Sequence, residues 1–211
     1  MRNRYLPIAI SVKDRKTLVV GGGTVALRKI ETLLDFDTEI TVIAPEIEDK
    51  IGYYAEKKLL ELKKREYKTP EAALYGLVIS ASDKREVNQQ VYDDARGAGI
   101  PVNVVDNPPL CDFIFPAITK RDCLTVAVAT DGRAPFLTGQ LRAILEELFP
   151  EHWHRIAKHA AEFRLMVSQR WRGQPDKKVA AFERFVGADW KEVLKQKEPG
   201  AIQKTLESFL E

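Results

Sequence analysis

Residues 16–34 read KTLVVGGGTVALRKIETLL, and this stretch decides the fold. An apolar run stops at three consecutive glycines, Gly21, Gly22 and Gly23, and an amphipathic run follows at once. This order predicts a strand, a tight turn and a helix. In the pattern G-x-G-x-x-[G/A], Gly21 would make the turn, Gly23 would admit a pyrophosphate, and Ala26 would let the helix pack on the strand.

The same loop predicts an anion site. The backbone N–H groups of Gly23, Thr24 and Val25 lie where the predicted helix begins, at the positive end of its dipole. A nucleotide phosphate fits such a site. Three glycines can also simply turn a loop, but here a strand precedes them and a helix follows, so dinucleotide binding is favoured over a plain turn.

Composition excludes several classes of protein. The chain has 211 residues, of which 45% are hydrophobic and 30% charged, and its formal net charge of +2 is too small to indicate a nucleic-acid partner. No apolar run approaches the roughly eighteen residues of a membrane span, and the first residues lack a signal-peptide pattern. We therefore expect a cytoplasmic protein that binds neither nucleic acid nor a membrane.

Cysteines and histidines give no metal pattern. Cys111 and Cys123 are too few for a disulfide framework and do not have zinc-ligand spacing. Cys123 falls in an apolar run, so it is expected to be a small buried residue of a strand. His152 and His159 share one face of a predicted helix, but no third ligand accompanies them. The sequence therefore predicts no metal site.

Apolar strands alternate with helices in the first half of the chain. Residues 39–44 form a β-branched run that Pro45 ends, residues 60–67 suit a charged edge strand, and residues 77–81 and 101–106 are further apolar strands. Continuous apolar strands separated by helices are typical of a parallel sheet that is buried on both faces. The predicted fold is therefore α/β, with a Rossmann-type sheet.

The carboxyl ends of parallel strands meet at one edge, where open α/β sheets bind their ligands. The candidate cofactor-binding residues expected there are Gly21, Gly22, Gly23, Thr24, Val25, Ala44, Pro45, Ser82, Asp83 and Asn103. Rossmann folds usually carry an acidic residue after the second strand to hold the adenosine ribose. This chain has Ala44-Pro45 instead, so its chemistry leaves NAD and NADP open.

Asp106 is the carboxylate that we single out at this edge. It closes an apolar strand beside Asn103, where a nicotinamide or its substrate would lie. There a carboxylate can accept a proton from a reacting group. Aspartate also suits the turn into Pro108-Pro109, so a structural role is equally open.

The pattern changes after Pro109. Residues 113–119 and 123–130 are predicted strands of a hairpin, and residues 134–149 are a predicted helix with Pro135 in its first turn. From His152 onward the chain is predicted to be helical. Residues 152–184 carry an excess of basic side chains, which suits either an anionic ligand or a solvated helix face.

Several short motifs occur in order over residues 5–150. They are Tyr5-Leu6-Pro7, Val20–Gly23 with Val25-Ala26 and Arg28-Lys29, Val42–Pro45, Ala81–Asp83 with Asn88, Asn103–Asp106, Phe113–Ala117, and Gly132 with Pro135. Together they resemble the precorrin-2 dehydrogenase/sirohydrochlorin ferrochelatase family, the N-terminal module of siroheme synthases.

The resemblance implies a homodimer whose chain has three parts. These are an NAD-binding Rossmann domain at 1–112, a dimerisation segment of hairpin and helix at 113–149, and an all-helical domain at 150–211. It implies NAD as cofactor, because the family shares the Ala44-Pro45 type of ending, and it places the family's key aspartate at Asp106.

The implied reaction is the oxidation of precorrin-2 to sirohydrochlorin, and in some members Fe²⁺ is then inserted to give siroheme. Binding of this anionic tetrapyrrole would explain the excess of basic residues in the C-terminal helices. Thr130 and Gly132 match a loop that contacts substrate in the family, although Asp131 departs from its Ser- and Gly-rich pattern. A chelatase without dehydrogenase activity and a non-catalytic NAD-sensing module remain alternatives.

Overall fold

A computed structural model describes residues 4–211. The chain divides into two compact units, of which the first ends at Phe115 and the second runs from Pro116 to Glu211. The division into three parts at residues 112 and 149 stays a prediction. Residues 1–3 of the first part lie outside the described residues.

A parallel sheet forms the centre of the first unit. Its strands are β1 (Lys16–Val20), β2 (Glu39–Ile43), β3 (Glu61–Lys63), β4 (Leu77–Ser80) and β5 (Val102–Val104). Their spatial order is β3-β2-β1-β4-β5, so the charged strand β3 lies at an edge, as expected. The order reverses between β1 and β4, and the crevice at such a switch point is where doubly wound sheets bind ligands.

Helices cover both faces of this sheet. They are α1 (Thr24–Leu34), α2 (Asp49–Glu56) and α3 (Arg85–Gly97). On one face Ala26 and Ile30 of α1 pack with Val19 and Val42, and on the other face Val91 of α3 packs in a separate core. Burial on both faces explains why the strands read as continuous apolar runs. The Rossmann-type α/β prediction is confirmed.

A hairpin and a set of helices form the second unit. The hairpin strands are β6 (Ala117–Arg121) and β7 (Leu124–Val128), and the helices are α4 (Pro135–Leu148), α5 (Trp153–Arg170), α6 (Pro175–Gly187), α7 (Trp190–Val193) and α8 (Ala201–Ser208). Pro135 opens α4, where its missing N–H costs nothing. The sequence correctly predicted a hairpin followed by helices.

Two details of the hairpin prediction were wrong. Strand β6 begins at Ala117 rather than at residue 113, and Cys123 lies exposed rather than buried in a strand. The register pairs Arg121 with Leu124, so Asp122 and Cys123 make the turn. Asp122 has a φ of 56°, a left-handed conformation that aspartate tolerates better than most residues, and this fixes the turn one residue later than expected.

An aromatic core holds the helices of the second unit together. Phe163 is only 1% exposed, and its ring stacks on that of Phe185 with centroids 5.3 Å apart. Trp190 packs on Phe185 and donates its indole N–H to the backbone carbonyl of Phe185 at 2.8 Å. The N–H of this buried indole is therefore satisfied, which keeps its burial favourable.

Truncation of this core tests the helical unit. Phe163→Ala should lower the free energy of unfolding by about 3–5 kcal/mol, because it removes a fully buried ring. Leu165→Ala, on the same helix but 65% exposed, should cost less than about 0.5 kcal/mol. Urea unfolding followed by tryptophan fluorescence reports on this unit, since all three tryptophans lie in it. Equal losses in the two variants would contradict this core.

Candidate active site

The glycine loop is built from backbone atoms in close contact. Gly21 follows β1 with a φ of 120°, which side chains rarely adopt, and a Cβ there would overlap the backbone carbonyl of Ala81. Its N–H donates to the carbonyl of Ile43 at 3.0 Å. The tight turn is therefore wedged between the ends of β2 and β4, and only glycine fits it.

Gly22 and Gly23 face different surroundings. A Cβ at Gly22 would overlap the carbonyl oxygen of Glu46 and crowd Ile47, and the Gly22 carbonyl accepts a hydrogen bond from the N–H of Glu48 at 2.8 Å. At Gly23 no other part of the described chain lies within 4 Å of a Cβ. Gly22 thus seats the loop before α2, whereas the space in front of Gly23 is open for a ligand.

Helix α1 begins directly behind that open space. Gly23 is its N-cap, no side chain among the described residues caps it, and its first turn holds no acidic residue. Thr24 is exposed and Val25 is partly buried. The free N–H groups and the helix dipole therefore suit a diphosphate, and the third small position, Ala26, is fully buried against the sheet.

A cleft of about 60 Å³ opens beside the glycine loop. It is lined by Val20, Gly21, Ile43, Ala44, Pro45, Glu66, Tyr67, Ser82, Lys84 and Val87. The structure thus brings together Gly21, Ala44, Pro45 and Ser82 of the predicted set, while Asp83 lies exposed outside the lining. A larger cavity of about 350 Å³ lies at the amino ends of β2 and β3, away from every predicted site residue.

Asn88 fixes the loop that carries Ser82. Its side-chain oxygen accepts from the Ser80 hydroxyl at 2.6 Å and from the Ser82 N–H at 3.2 Å, and its amide donates to the Ser82 carbonyl at 2.8 Å. With these bonds one side chain substitutes for the strand pairing that ends at Ser80. The loop is held in one conformation at the cleft.

Sequence reasoning missed the charged rim of this cleft. The Lys84 ammonium lies 2.8 Å from the Glu66 carboxylate, and this hydrogen bond raises the pKa of Lys84 and lowers that of Glu66. Lys84 directly follows Ser82-Asp83, so its position at this cleft could have been predicted from the sequence. Glu66 comes from the irregular segment after β3, and no local pattern marks it.

Asn103 and Asp106 have different surroundings. Asn103 is 7% exposed, and its amide donates to the carbonyl of Phe113 at 2.8 Å, so its side chain already has a structural partner. Asp106 is exposed and has a φ of 58°. The left-handed turn suits an aspartate, and the exposed carboxylate lies at the ligand edge. The geometry is therefore compatible with a role as a proton acceptor and with a structural role in the turn.

Thr130 and Gly132 lie in the second unit, before α4. The Thr130 hydroxyl accepts the N–H of Ala134 at 3.1 Å, and Asp131 and Gly132 have φ values of 57° and 75°. Arg133 donates to the Asp131 carboxylate at 3.2 Å. The Thr130 hydroxyl therefore helps to begin α4, and its role toward a substrate stays a prediction, as does that of Gly132.

Within residues 4–211, no group of three His, Cys, Asp or Glu side chains is arranged to hold a metal ion. No helix among the described residues is long and apolar enough to span a membrane.

Comparison with known proteins agrees with this geometry. Residues 8–117 match the family described as "Putative NAD(P)-binding". The chain belongs to this family. The match covers the glycine loop, the cleft and Asp106, so the open position at Gly23 lies within the matched region.

Relatives with longer chains confirm the resemblance seen in the sequence. A siroheme synthase of Methylococcus capsulatus is 44% identical over 165 residues, which cover 78% of this chain and 35% of the relative. A siroheme synthase of Nitrosomonas europaea is 38% identical over 208 residues, which cover 98% of this chain and 44% of the relative. The chain thus spans less than half the length of these relatives.

A solved structure shares the fold of this NAD(P)-binding chain. The protein, named SirC, precorrin-2 dehydrogenase, superposes with a TM-score of 0.73 at 22% identity, and the match covers 97% of this chain and 98% of the other. The match extends over both units, so the helical unit belongs to the shared fold as well.

Gly23→Ala separates ligand binding from folding. Gly23 has φ −81° and ψ −174°, which alanine adopts freely, so the melting temperature should stay within about 2 °C of the wild type. Affinity for NAD⁺ should fall at least about ten-fold, because the methyl group would occupy the open space in front of the loop. Calorimetric titration measures this, with Gly97→Ala in α3 as a control that keeps wild-type affinity. Unchanged affinity in Gly23→Ala would place the diphosphate elsewhere.

Proposed function

We propose that this chain catalyses the NAD-dependent oxidation of precorrin-2 to sirohydrochlorin. The observation that carries the proposal is the open position at Gly23 on the same sheet edge as the exposed carboxylate of Asp106. The siroheme synthase relatives and the fold shared with a precorrin-2 dehydrogenase support the choice of substrate.

Different residues of the chain have different roles in this reaction. The glycine loop and the start of α1 hold the diphosphate of the dinucleotide, and Ala44, Pro45 and Ser82 line the cleft beside it. NAD⁺ held there would supply the hydride acceptor for the oxidation of the macrocycle. The oxidation also releases a proton, and the Asp106 carboxylate, exposed to solvent, accepts it and passes it to water.

Insertion of Fe²⁺ into sirohydrochlorin is a second candidate activity. Chelation releases pyrrole N–H protons, and the same exposed carboxylate of Asp106 suits their removal. The macrocycle itself supplies the nitrogen ligands, so Fe²⁺ is a substrate in this proposal. We also propose that the reaction takes place in the cytoplasm and involves neither nucleic acid nor a membrane.

Asp106→Asn tests the proposed reaction. Asparagine also tolerates a left-handed φ, so the turn after β5 should persist while the base is lost. In anaerobic assays with precorrin-2 and NAD⁺, the wild type should form NADH and sirohydrochlorin, and the variant should lose about 10²–10⁴-fold in kcat. Its affinity for NAD⁺ should stay within about two-fold of the wild type.

Three other results have distinct meanings. A fully active Asp106→Asn variant would remove Asp106 from the chemistry. A wild type that only accelerates Fe²⁺ insertion would be a chelatase alone. A wild type that binds NAD⁺ without turnover would be a sensing module.

We also propose that the chain forms a homodimer through α4. No residue of this helix is buried within the single chain, although apolar side chains run along it. Phe136 is 76% exposed, Ile144 51% and Leu148 62%. An apolar face of this extent is typical of a surface that a partner covers, and a second copy agrees with the family resemblance.

Ile144→Lys tests this interface. A lysine in an apolar interface cannot keep its hydration, so the variant should sediment as a monomer at concentrations where the wild type is a dimer. Val186→Lys, at an apolar position of α6 that is 80% exposed, should leave the dimer intact. A wild-type chain that sediments as a monomer would reject the homodimer, and a dimeric Ile144→Lys variant would reject α4 as its interface.

A further inference from the structure

Lys29 of α1 is a partly buried cation without a carboxylate at salt-bridge distance in the described chain. Its ammonium nitrogen stands 4.3 Å from the centroid of the Phe115 ring. Burial lowers the pKa of Lys29, as does the charge of Arg28, while Asp106 and Cys111 act in the opposite direction. A half-desolvated ammonium costs free energy unless something offsets it, and a ring face offsets only part.

The surroundings of Lys29 show what it can bind. Phe113 and Phe115 form a tilted aromatic pair with centroids 5.7 Å apart. Val105, next to Asp106, packs on the same core as Phe113 and Phe115, and the Asp106 charge acts to raise the pKa of Lys29. The ammonium, the aromatic pair and the candidate base therefore lie in one part of the first unit. An apolar platform beside one unpaired cation matches a flat ring system that carries carboxylate arms.

We propose that Lys29 binds a carboxylate of the tetrapyrrole substrate and so orients the ring toward Asp106. This inference rests on the proposed function and names a substrate-binding residue for it. The Phe115 ring holds the ammonium in place before substrate arrives, which lowers the entropy that binding would otherwise cost. Partial desolvation strengthens its attraction to a carboxylate relative to a fully hydrated lysine.

Arg28 provides a matched control on the same helix. It carries the same charge one position earlier, but it is exposed, whereas Lys29 is partly buried. Long-range attraction of an anionic substrate would involve both residues alike. A specific carboxylate contact involves Lys29 alone, so the two substitutions separate these explanations.

The experiment compares Lys29→Met, Lys29→Arg and Arg28→Met. In Lys29→Met the KM for precorrin-2 and the Kd for sirohydrochlorin, measured anaerobically by fluorescence quenching, should rise about 10–100-fold, which is typical of a lost charged hydrogen bond. The Kd for NAD⁺ should stay within about two-fold. Lys29→Arg should recover part of the loss, and Arg28→Met should resemble the wild type. The dependence of log KM on log salt should become shallower in Lys29→Met alone.

The results that would overturn the inference differ from one another. Unchanged KM and Kd in Lys29→Met would show that Lys29 only packs on Phe115. Weaker NAD⁺ binding in Lys29→Met would show that Lys29 contacts the cofactor. Equal losses in Arg28→Met would show that Lys29 acts only through long-range attraction of the anionic substrate. If Lys29→Met does not fold, Lys29→Arg decides the question at wild-type stability. Partial retention of sirohydrochlorin binding with a wild-type salt dependence supports the charge contact, and complete loss of binding rejects it. A wild type that neither oxidises precorrin-2 nor binds sirohydrochlorin rejects the proposed function itself.

Discussion

The whole ligand edge depends on the absence of side chains at Gly21 and Gly22. At Gly21 the chain lies against the carbonyl of Ala81, and at Gly22 it lies against that of Glu46, so the glycine loop meets the loops after β4 and β2 at their backbone carbonyls. One added methyl group at either position would push a neighbouring loop away. The cleft exists because three loops meet at distances that only glycine allows.

The loop after β2 departs from the common Rossmann pattern. Rossmann folds commonly place an acidic residue after the second strand to hold the ribose of the adenosine. Here that strand is followed by Ala44-Pro45, and the backbone carbonyl of Glu46 lies against Gly22. The nearest charges on the cleft, Glu66 and Lys84, neutralise one another at 2.8 Å. Within the described lining of the cleft, no carboxylate therefore follows β2 directly.

The sequence predicts what depends on neighbours along the chain and misses what depends on distant contacts. The strand, glycine turn and helix at 16–34 form a local pattern, and so their prediction is confirmed in detail. Cys123 was misplaced because one left-handed residue, Asp122, decides where the hairpin turns. The contacts of Lys29 with Phe115 and of Glu66 with Lys84 join residues far apart along the chain, and neither composition nor spacing indicates them.

The segment that follows Asp106 helps to fix the position of its backbone. The Asp112 N–H donates to the carbonyl of Val102 at 2.8 Å, and its carboxylate accepts the Val102 N–H at 3.1 Å. The amide of Asn103 holds the carbonyl of Phe113, also at 2.8 Å. These bonds anchor the segment after Asp106 to β5, so the left-handed turn at Asp106 lies between two parts of the chain that are held together. Asn103, predicted to contact the cofactor, thus has a role that the structure makes explicit: it helps to hold the turn on which the candidate base sits.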